Sequence, residues 1–167
     1  MEFLPEARSL RARDDVVVRA VRSTDVGELS VVMSARGGTA EEHVDRARRL
    51  IGRLSVLSVA EMDDALVGWS GAQKAVIEVG GAPEWLIAGL TVVPAQRRRG
   101  IAARLLGDVV AKLRTWEPKS PVFSVINAQN PASVALHEGL GFREVARGVT
   151  FARIEFTGGE GVLLRYG

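Results

Sequence analysis

The stretch Trp85-Leu-Ile-Ala-Gly-Leu-Thr-Val-Val93 constrains the fold of this chain more than any other segment. It is almost wholly apolar, and it ends at Pro94. Successive side chains of a strand point to opposite faces of a sheet, so a strand that is apolar at nearly every position needs cover on both faces. We therefore expect segment 85–93 to be a central strand with other elements packed on either side.

The segments before this strand alternate between strand and helix patterns. Ser23-Thr24-Asp25 is typical of a helix start, and Thr39 can cap a second helix with Glu41 and Glu42 in its first turn. Asp63-Asp64 indicates a tight turn between two strands. These patterns predict a strand at 15–21, a helix from 25 to about 35, a helix from 39 to about 51, and a hairpin of strands 55–61 and 65–72.

The segments after Pro94 continue the alternation. Apolar residues recur at helical spacing from Gly100 to about Trp116, and Asn130-Pro131 is a helix start with a capping side chain and a proline at the first position. The remaining predictions are a short strand at 122–126, a helix ending near 139, a β region at 141–156 and a last strand at 161–166. The expected fold is α/β (α+β), with one mixed sheet.

Length and composition bound the organisation of the chain. Its 167 residues suit one domain, expected at 15–167 after an N-terminal arm at 1–14. With no cysteine, disulfides, thiolate metal sites and cysteine nucleophiles are excluded. The apolar stretches are shorter than the roughly 18 residues of a membrane span, and the polar start lacks the apolar core of a secretion signal. We expect a cytoplasmic protein with no membrane partner.

Arginine supplies nearly all of the positive charge, with 19 arginines against 3 lysines and a net charge of only +2. The bias fits either phosphate binding by planar guanidinium groups or a GC-rich genome that favours arginine codons. So small a net charge does not predict nucleic-acid binding, and aromatic residues are not interleaved with the basic ones. A nucleic-acid partner is not expected.

The loop from Pro94 to Ala102 joins the apolar strand to a helix and carries Arg97, Arg98 and Arg99. A helix N-terminus offers free backbone N–H groups and the positive end of the helix dipole, which together bind phosphate oxygens. Gly100 lets the backbone approach a ligand closely, and the arginines can add charge-assisted hydrogen bonds. The loop therefore predicts a diphosphate site without specifying the ligand.

Two motifs in this half of the chain resemble the hallmarks of one family. Residues 94–102 resemble the Gln/Arg-x-x-Gly-x-Gly/Ala signature of the GNAT superfamily of N-acetyltransferases, matching at Arg97, Gly100 and Ala102. Residues 127–142 resemble its second motif, Asn-x-x-Ala/Ser-x-x-Leu-Tyr-x-x-x-Gly-Phe. The second match lies at Asn130, Ser133, Leu136, Gly141 and Phe142.

The resemblance implies a mostly antiparallel central sheet flanked by helices, with two splayed parallel strands that hold acetyl-CoA. The pantetheine arm would pair with the backbone of Thr91, Val92 and Val93, and an N–H near Val92 or Val93 would polarise the thioester carbonyl. The diphosphate would lie on Arg97, Arg98, Arg99, Gly100, Ile101 and Ala102. Asn130 and Ser133 would contact the arm, although Asn130 can equally act as a plain helix cap.

The implied activity is direct transfer of an acetyl group from acetyl-CoA to an amine, with a non-catalytic acetyl-CoA-binding module as the alternative. The acceptor would be an amine of a small molecule or peptide, held between segments 23–54 and 143–160. These segments include Met33, Arg36 and the cluster Arg46, Arg48 and Arg49, which complementarity to the dipole at a helix end also explains. Trp69 and Trp85 are expected in the core, although Trp69 can also line the cleft. Homodimers are common in the family, so a homodimer is compatible with the resemblance.

The proton-transfer residues depart from the family pattern. The family often has a Tyr after the motif's Leu, and this chain has His137 there, while its one tyrosine is Tyr166. His137 can replace the usual acid, since imidazole donates a proton near neutral pH; the alternative is an ordinary helix histidine. Glu84 is the candidate general base, acting through a water, with a solvated loop residue as the alternative. His43 is isolated in the sequence, so we expect no metal site.

Overall fold

Strand β4 (Pro83–Val92) lies in the middle of a seven-stranded sheet, which confirms the central position predicted from its apolar sequence. The structure, a computed structural model, describes residues 15–167; the predicted arm at 1–14 lies outside this range. The other strands are β1 (Val16–Ala20), β2 (Val56–Met62), β3 (Ala65–Val76), β5 (Val122–Asn127), β6 (Arg143–Gly148), β7 (Thr150–Phe151), β8 (Ile154–Glu155) and β9 (Gly161–Tyr166). Their order is β1-β2-β3-β4-β5-β9-β6, with β7 and β8 as a separate hairpin.

Helices cover both faces of the sheet. They are α1 (Val26–Ser34), α2 (Ala40–Arg53), α3 (Ile101–Trp116) and α4 (Pro131–Gly139). Leu57 and Val59 of β2 pack in one cluster with α1 and α2, whereas the alternate residues Ser58 and Ala60 contact α3. Since alternate residues of a strand face opposite ways, α1 and α2 lie on one face and α3 on the other. The mixed, mostly antiparallel architecture is the predicted one.

The turns agree with the sequence in one place and correct it in another. Asp63 and Asp64 join β2 to β3, and both have positive φ, at 51° and 60°, as a two-residue hairpin turn requires. The β region predicted at 141–156 consists of three strands, β6, β7 and β8, and contains a turn that the sequence did not predict. Ala152 and Arg153 have positive φ, at 49° and 61°, and fold the chain back between β7 and β8. Strand β3 extends to Val76, beyond the predicted end at 72.

Packing of α3 fixes the start of that helix against the sheet. Leu105 is 0% exposed and clusters with Ile101, Val67 and Val92. A Cβ on Gly68 of β3 would lie 2.9 Å from Leu105 Cδ1, so helix and strand are in close contact there. The end of α3 that follows the basic loop is therefore anchored by apolar burial.

We expect Leu105→Ala to lower the free energy of unfolding by about 2–5 kcal/mol, because it removes buried methyl groups and leaves a cavity. Val31→Ala on α1 is the control, since Val31 is 55% exposed and should change stability by no more than about 0.5 kcal/mol. Urea denaturation of both variants measures the difference. Equal stability of the two variants would contradict the packing described.

Candidate functional site

An opening in the sheet separates β4 from β5. The two strands run parallel and pair only at Trp85 with Val122 and at Leu86 with Phe123. Past these pairs both strands continue, to Val92 and Asn127, without hydrogen-bonding to each other. We call the gap between residues 87–92 and 124–127 the β4–β5 opening. It matches the splayed parallel strands that the sequence led us to expect.

A β-bulge in β4 coincides with the start of the opening. Gly71 of β3 pairs with Gly89, and the next residue, Ala72, pairs with Ile87, so Ala88 is left without a partner in the ladder. Bulges bend a strand and increase its twist. The bulge also changes which residues face α3: Ile87 packs with that helix before the bulge, and Val92 does so after it. Strand β4 therefore turns away from β5 at this point.

The register of β3 determines which peptide groups of β4 face the opening. Thr91 lies opposite Trp69, and the N–H of Val93 donates to Val67 O over 2.8 Å. In an antiparallel pair, alternate residues direct their peptide groups towards the partner strand and away from it. The residues that face the opening are therefore Leu90 and Val92.

Two arginine side chains donate hydrogen bonds to the backbone carbonyl groups at this edge. Arg36 donates to Leu90 O at 2.6 Å and to Thr91 Oγ1 at 2.8 Å, and Arg97 donates to Val92 O at 3.2 Å. The N–H groups of Leu90 and Val92 remain directed at the opening. Of the residues predicted to pair with the pantetheine arm through their backbone, the geometry thus favours Val92 over Thr91 and Val93. It also adds Leu90, which the motif did not identify because this assignment depends on the pairing with β3.

The basic loop leads directly into the N-terminus of α3. Gly100 occupies the position before the helix with φ of 76°, and no side chain caps this end. The first α-helical hydrogen bond runs from Arg104 N–H to Gly100 O, so the N–H groups of Ile101, Ala102 and Ala103 precede the ladder and stay available. Arg97, Arg98 and Arg99 are exposed beside them. This end of α3 therefore combines free N–H groups with exposed positive charge, an arrangement that favours an anion.

The start of α4 lies on the other side of the opening. Asn130 Oδ1 accepts a hydrogen bond from Ser133 N–H at 3.2 Å, which makes Asn130 a helix cap. Its carboxamide NH₂ makes no hydrogen bond to residues 15–167. The predicted capping role is thus found, and it leaves the NH₂ group free for a ligand.

A cavity of about 310 Å³ connects these features. It is lined by residues 87–91 of β4, residues 124–127 of β5, and Asn130, Ser133 and His137. From the helical side it is lined by Met33, Arg36, Arg46 and Trp69, and from the β7–β8 hairpin by Ile154. Both segments in which an acceptor site was predicted, 23–54 and 143–160, therefore contribute to it.

His137 and Ser124 form a buried pair on this cavity. The two residues are 2% and 3% exposed, and Ser124 Oγ lies 2.9 Å from His137 Nε2. His137 Nδ1 lies 2.7 Å from Ser133 O, which can only accept, so Nδ1 carries the proton of the neutral ring and Nε2 accepts from the Ser124 hydroxyl. Burial lowers the pKa of His137, against a smaller opposing effect of the bond to Ser133. Ser124 carried no signal in the sequence.

Glu84 and Tyr166 lie away from the cavity. Glu84 pairs with Ala75 near the start of β4, roughly 20 Å along the strand from Leu90 at about 3.3 Å per residue. Tyr166 pairs with Val122 at the closed end of the β4–β5 pair and packs against Phe142. Neither lines the cavity. Within residues 15–167 no group of three or more metal-ligating side chains comes together.

A family model for the acetyltransferase (GNAT) domain matches residues 41–159 of this chain. The chain belongs to the GNAT family. It is therefore an acyltransferase of the acetyltransferase type. No curated protein sequence matches it. Among the helices at 15–167, none is both long and apolar enough to cross a membrane.

Solved structures with the same fold include acetyltransferases named for different acceptors. One is a ribosomal-protein-alanine N-acetyltransferase from Brucella melitensis, with 20% identity, a TM-score of 0.68 and coverage of 89% of this chain and 98% of that chain. Another is a GNAT phosphinothricin acetyltransferase from Sinorhizobium meliloti in complex with AcCoA, with 18% identity, a TM-score of 0.69 and coverage of 90% and 87%. At these identities the likeness establishes the fold of the GNAT protein described here.

The lowered pKa of His137 predicts an acid-sensitive stability. An unfolded histidine takes up a proton as the pH falls below about 6.5, whereas the buried His137 stays neutral until its own lower pKa. Below about pH 6.5 the unfolded chain therefore binds more protons than the folded protein. The free energy of unfolding falls as the pH falls from there towards the lower pKa of folded His137, by at most about 1.4 kcal/mol per pH unit for one proton.

Thermal unfolding between about pH 7.5 and 5.5 measures this effect. We expect the transition of the unmodified protein to fall more steeply with acid than that of His137→Gln. His43→Gln is the matched control and should retain the slope of the unmodified protein, because His43 lies on α2, outside the cavity and away from the buried Ser124–His137 pair. Equal slopes for the protein and His137→Gln would contradict the predicted protonation state.

Proposed function

We propose that this protein transfers the acetyl group of acetyl-CoA directly to the amine of a small molecule or peptide. The observation that carries the proposal is the β4–β5 opening, where the N–H of Leu90, the start of α4 and a buried Ser124–His137 pair meet one cavity, with the N–H of Val92 further along the same strand edge. An acyl transfer needs these parts together: a slot for the thioester arm, donors for the developing oxyanion and a route for the proton.

The donor site follows from the open backbone of β4 and the two helix starts. The diphosphate of CoA binds the N–H groups of Ile101 and Ala102, with charge from Arg97, Arg98 and Arg99 and close approach at Gly100. The pantetheine arm runs along Thr91, Val92 and Val93 and hydrogen-bonds chiefly to the N–H of Val92, whose carbonyl is held by Arg97. Asn130, through its free NH₂, and Ser133 contact the arm from α4.

The transfer step uses the N–H groups that face the opening. The amine nitrogen attacks the thioester carbonyl carbon, a C–N bond forms, and the carbonyl oxygen takes up negative charge. The N–H of Leu90 stabilises this charge, while that of Val92, two residues further along the same edge, pairs with the pantetheine arm. Collapse of the intermediate breaks the C–S bond and yields the amide and the CoA thiolate.

Ser124 and His137 form the proton route. The resting His137 is neutral with its Nε2 lone pair directed at Ser124, so a proton lost by the amine passes to Ser124 Oγ while the Ser124 proton moves to Nε2. The same route in reverse delivers a proton to the leaving thiolate. His137 thus acts as base and acid in turn. Glu84 is omitted from this scheme, because no carboxylate of the described residues lines the cavity.

Thiol release from acetyl-CoA tests the proposal. The protein is incubated with acetyl-CoA and a panel of small primary amines and short peptides, and free thiol and acetylated product are quantified together. Amine-dependent thiol release with a matching amount of amide supports the proposal. Acetyl-CoA binding without thiol release from any amine would overturn it in favour of a non-catalytic binding module.

The diphosphate assignment predicts opposite outcomes for two isosteric variants at Gly100. Asn and Asp both tolerate positive φ better than other residues, so Gly100→Asn and Gly100→Asp impose similar backbone strain at φ of 76°. Only Asp places a negative charge beside the diphosphate. We expect calorimetry to show at least about tenfold weaker acetyl-CoA binding for Asp than for Asn, or about 1.4 kcal/mol. Equal affinities would refute the site.

Loss of the Ser124 hydroxyl should slow turnover without weakening cofactor binding. We expect Ser124→Ala to lower kcat about 10²-fold at unchanged acetyl-CoA affinity, as for loss of a general acid–base group. Because the two residues act as one route, the double variant Ser124→Ala/His137→Gln should be no slower than the slower single variant. Ser58→Ala is the control, since Ser58 is a fully buried serine bonded to Asp108 away from the cavity. Multiplicative losses in the double variant would contradict the relay.

A further inference from the structure

We propose that the acceptor is a small amine that carries a carboxylate, which Arg36 and Arg46 bind on the α1–α2 side of the β4–β5 opening. The inference deepens the proposed acetyl transfer and rests on it for the position of the amine. Its evidence is the charge, the hydrogen-bonding state and the size of the acceptor half of the cavity.

The charges that line the cavity are all positive at neutral pH. Arg36 and Arg46 are its charged lining residues, and no Asp or Glu of residues 15–167 lies among them. Arg46 makes no ion pair with a described carboxylate, unlike Arg48 on the same helix, which pairs with Asp45 at 3.2 Å. An uncompensated pair of guanidinium groups favours an anionic ligand, and their planar forks match a carboxylate.

Arg36 is held in place without being neutralised. Its two hydrogen bonds go to Leu90 O and Thr91 Oγ1, which are neutral acceptors on β4. Burial and the neighbouring charges of Arg97 and Arg46 lower its pKa, as expected for a cation surrounded by cations. A bound anion would relieve this repulsion. Arg36 is therefore a fixed positive charge beside the peptide groups that face the thioester.

Trp69 forms an aromatic wall of the acceptor half. Its ring lines the cavity and it is 2% exposed. The ring fits because residue 89 is glycine: a Cβ there would lie 2.4 Å from Trp69 Cη2. Trp69 thus limits the width of the acceptor half on the side of α1 and α2.

The size of the cavity and its charge favour an amine close to the carboxylate. At about 310 Å³ the whole cavity is at the lower end of the range for ligand sites, roughly 300–1,000 Å³. Because the thioester arm takes part of this volume, the acceptor half suits a molecule no larger than a free amino acid. Nearby cations also lower the pKa of an ammonium group and favour the neutral, nucleophilic amine. A carboxylate on the same molecule offsets the repulsion that a bare ammonium would meet.

The position of Arg36 and Arg46 in the fold favours a role in binding the acceptor rather than the phosphates of CoA. Arg36 follows α1, Arg46 lies on α2, and Trp69 packs with both helices on one face of the sheet. The predicted diphosphate loop precedes α3, which covers the opposite face. If Arg46 instead binds a phosphate of CoA, Arg46→Gln should bind CoA more weakly, and the experiment measures this.

Acetyl transfer to matched acceptors tests the inference. The unmodified protein, Arg46→Gln and Arg49→Gln are each assayed with free amino acids and with the corresponding amino acid amides. Arg49 is an exposed arginine of α2 that does not line the cavity, so Arg49→Gln is the control. We expect the amino acids to exceed their amides at least about tenfold in kcat/KM, and Arg46→Gln to remove this preference through KM.

A binding measurement keeps the test independent of turnover. N-acetyl amino acids and N-acetyl amino acid amides are titrated by calorimetry into each protein saturated with CoA. Selective binding of the carboxylates that is lost only in Arg46→Gln supports the inference, even if no amine releases thiol and the proposed transfer fails. Turnover or binding without a carboxylate preference, a preference for peptides, or weaker CoA binding by Arg46→Gln would overturn it.

Discussion

Buried peptide groups need hydrogen-bond partners, and the way β4 meets this requirement determines the rest of the site. One edge of β4 is paired with β3, but the other loses its partner strand after Leu86. At the open edge, Arg36 satisfies Leu90 O and Arg97 satisfies Val92 O. Two side chains therefore replace part of a neighbouring strand, and the central sheet can remain open without leaving these carbonyl groups unpaired.

The opening joins two chemically different sides of one sheet. On the side of α3, a helix start with free N–H groups and three exposed arginines favours an anion. On the side of α1 and α2, Arg36, Arg46 and Trp69 line the cavity. Apolar contacts of Leu105 with β3 and β4 hold α3 in place, so the start of this helix is part of the hydrophobic core. This arrangement suits a reaction between two ligands that approach from opposite faces of the sheet.

The parts of the site that the sequence predicted correctly depend only on residues that are adjacent along the chain. A glycine before an apolar helical repeat predicts an uncapped helix start, and Asn130-Pro131 predicts a capped one; both are found at these positions. The Asp63-Asp64 turn and the central place of β4 follow from similar local patterns. The break in the predicted β region at 141–156 was missed, because Ala152 and Arg153 are not residues that usually adopt positive φ.

By itself, the sequence determined the order of elements, the two motif loops and the family to which the chain belongs, because each depends on residues that are close along the chain. Tertiary structure decided which side chains and peptide groups meet. Leu90 rather than Thr91 faces the opening because of its register with β3, and Arg36 reaches it from 54 residues away. His137 is neutral and bonded to Ser124 because burial and packing, which no single segment encodes, set its environment.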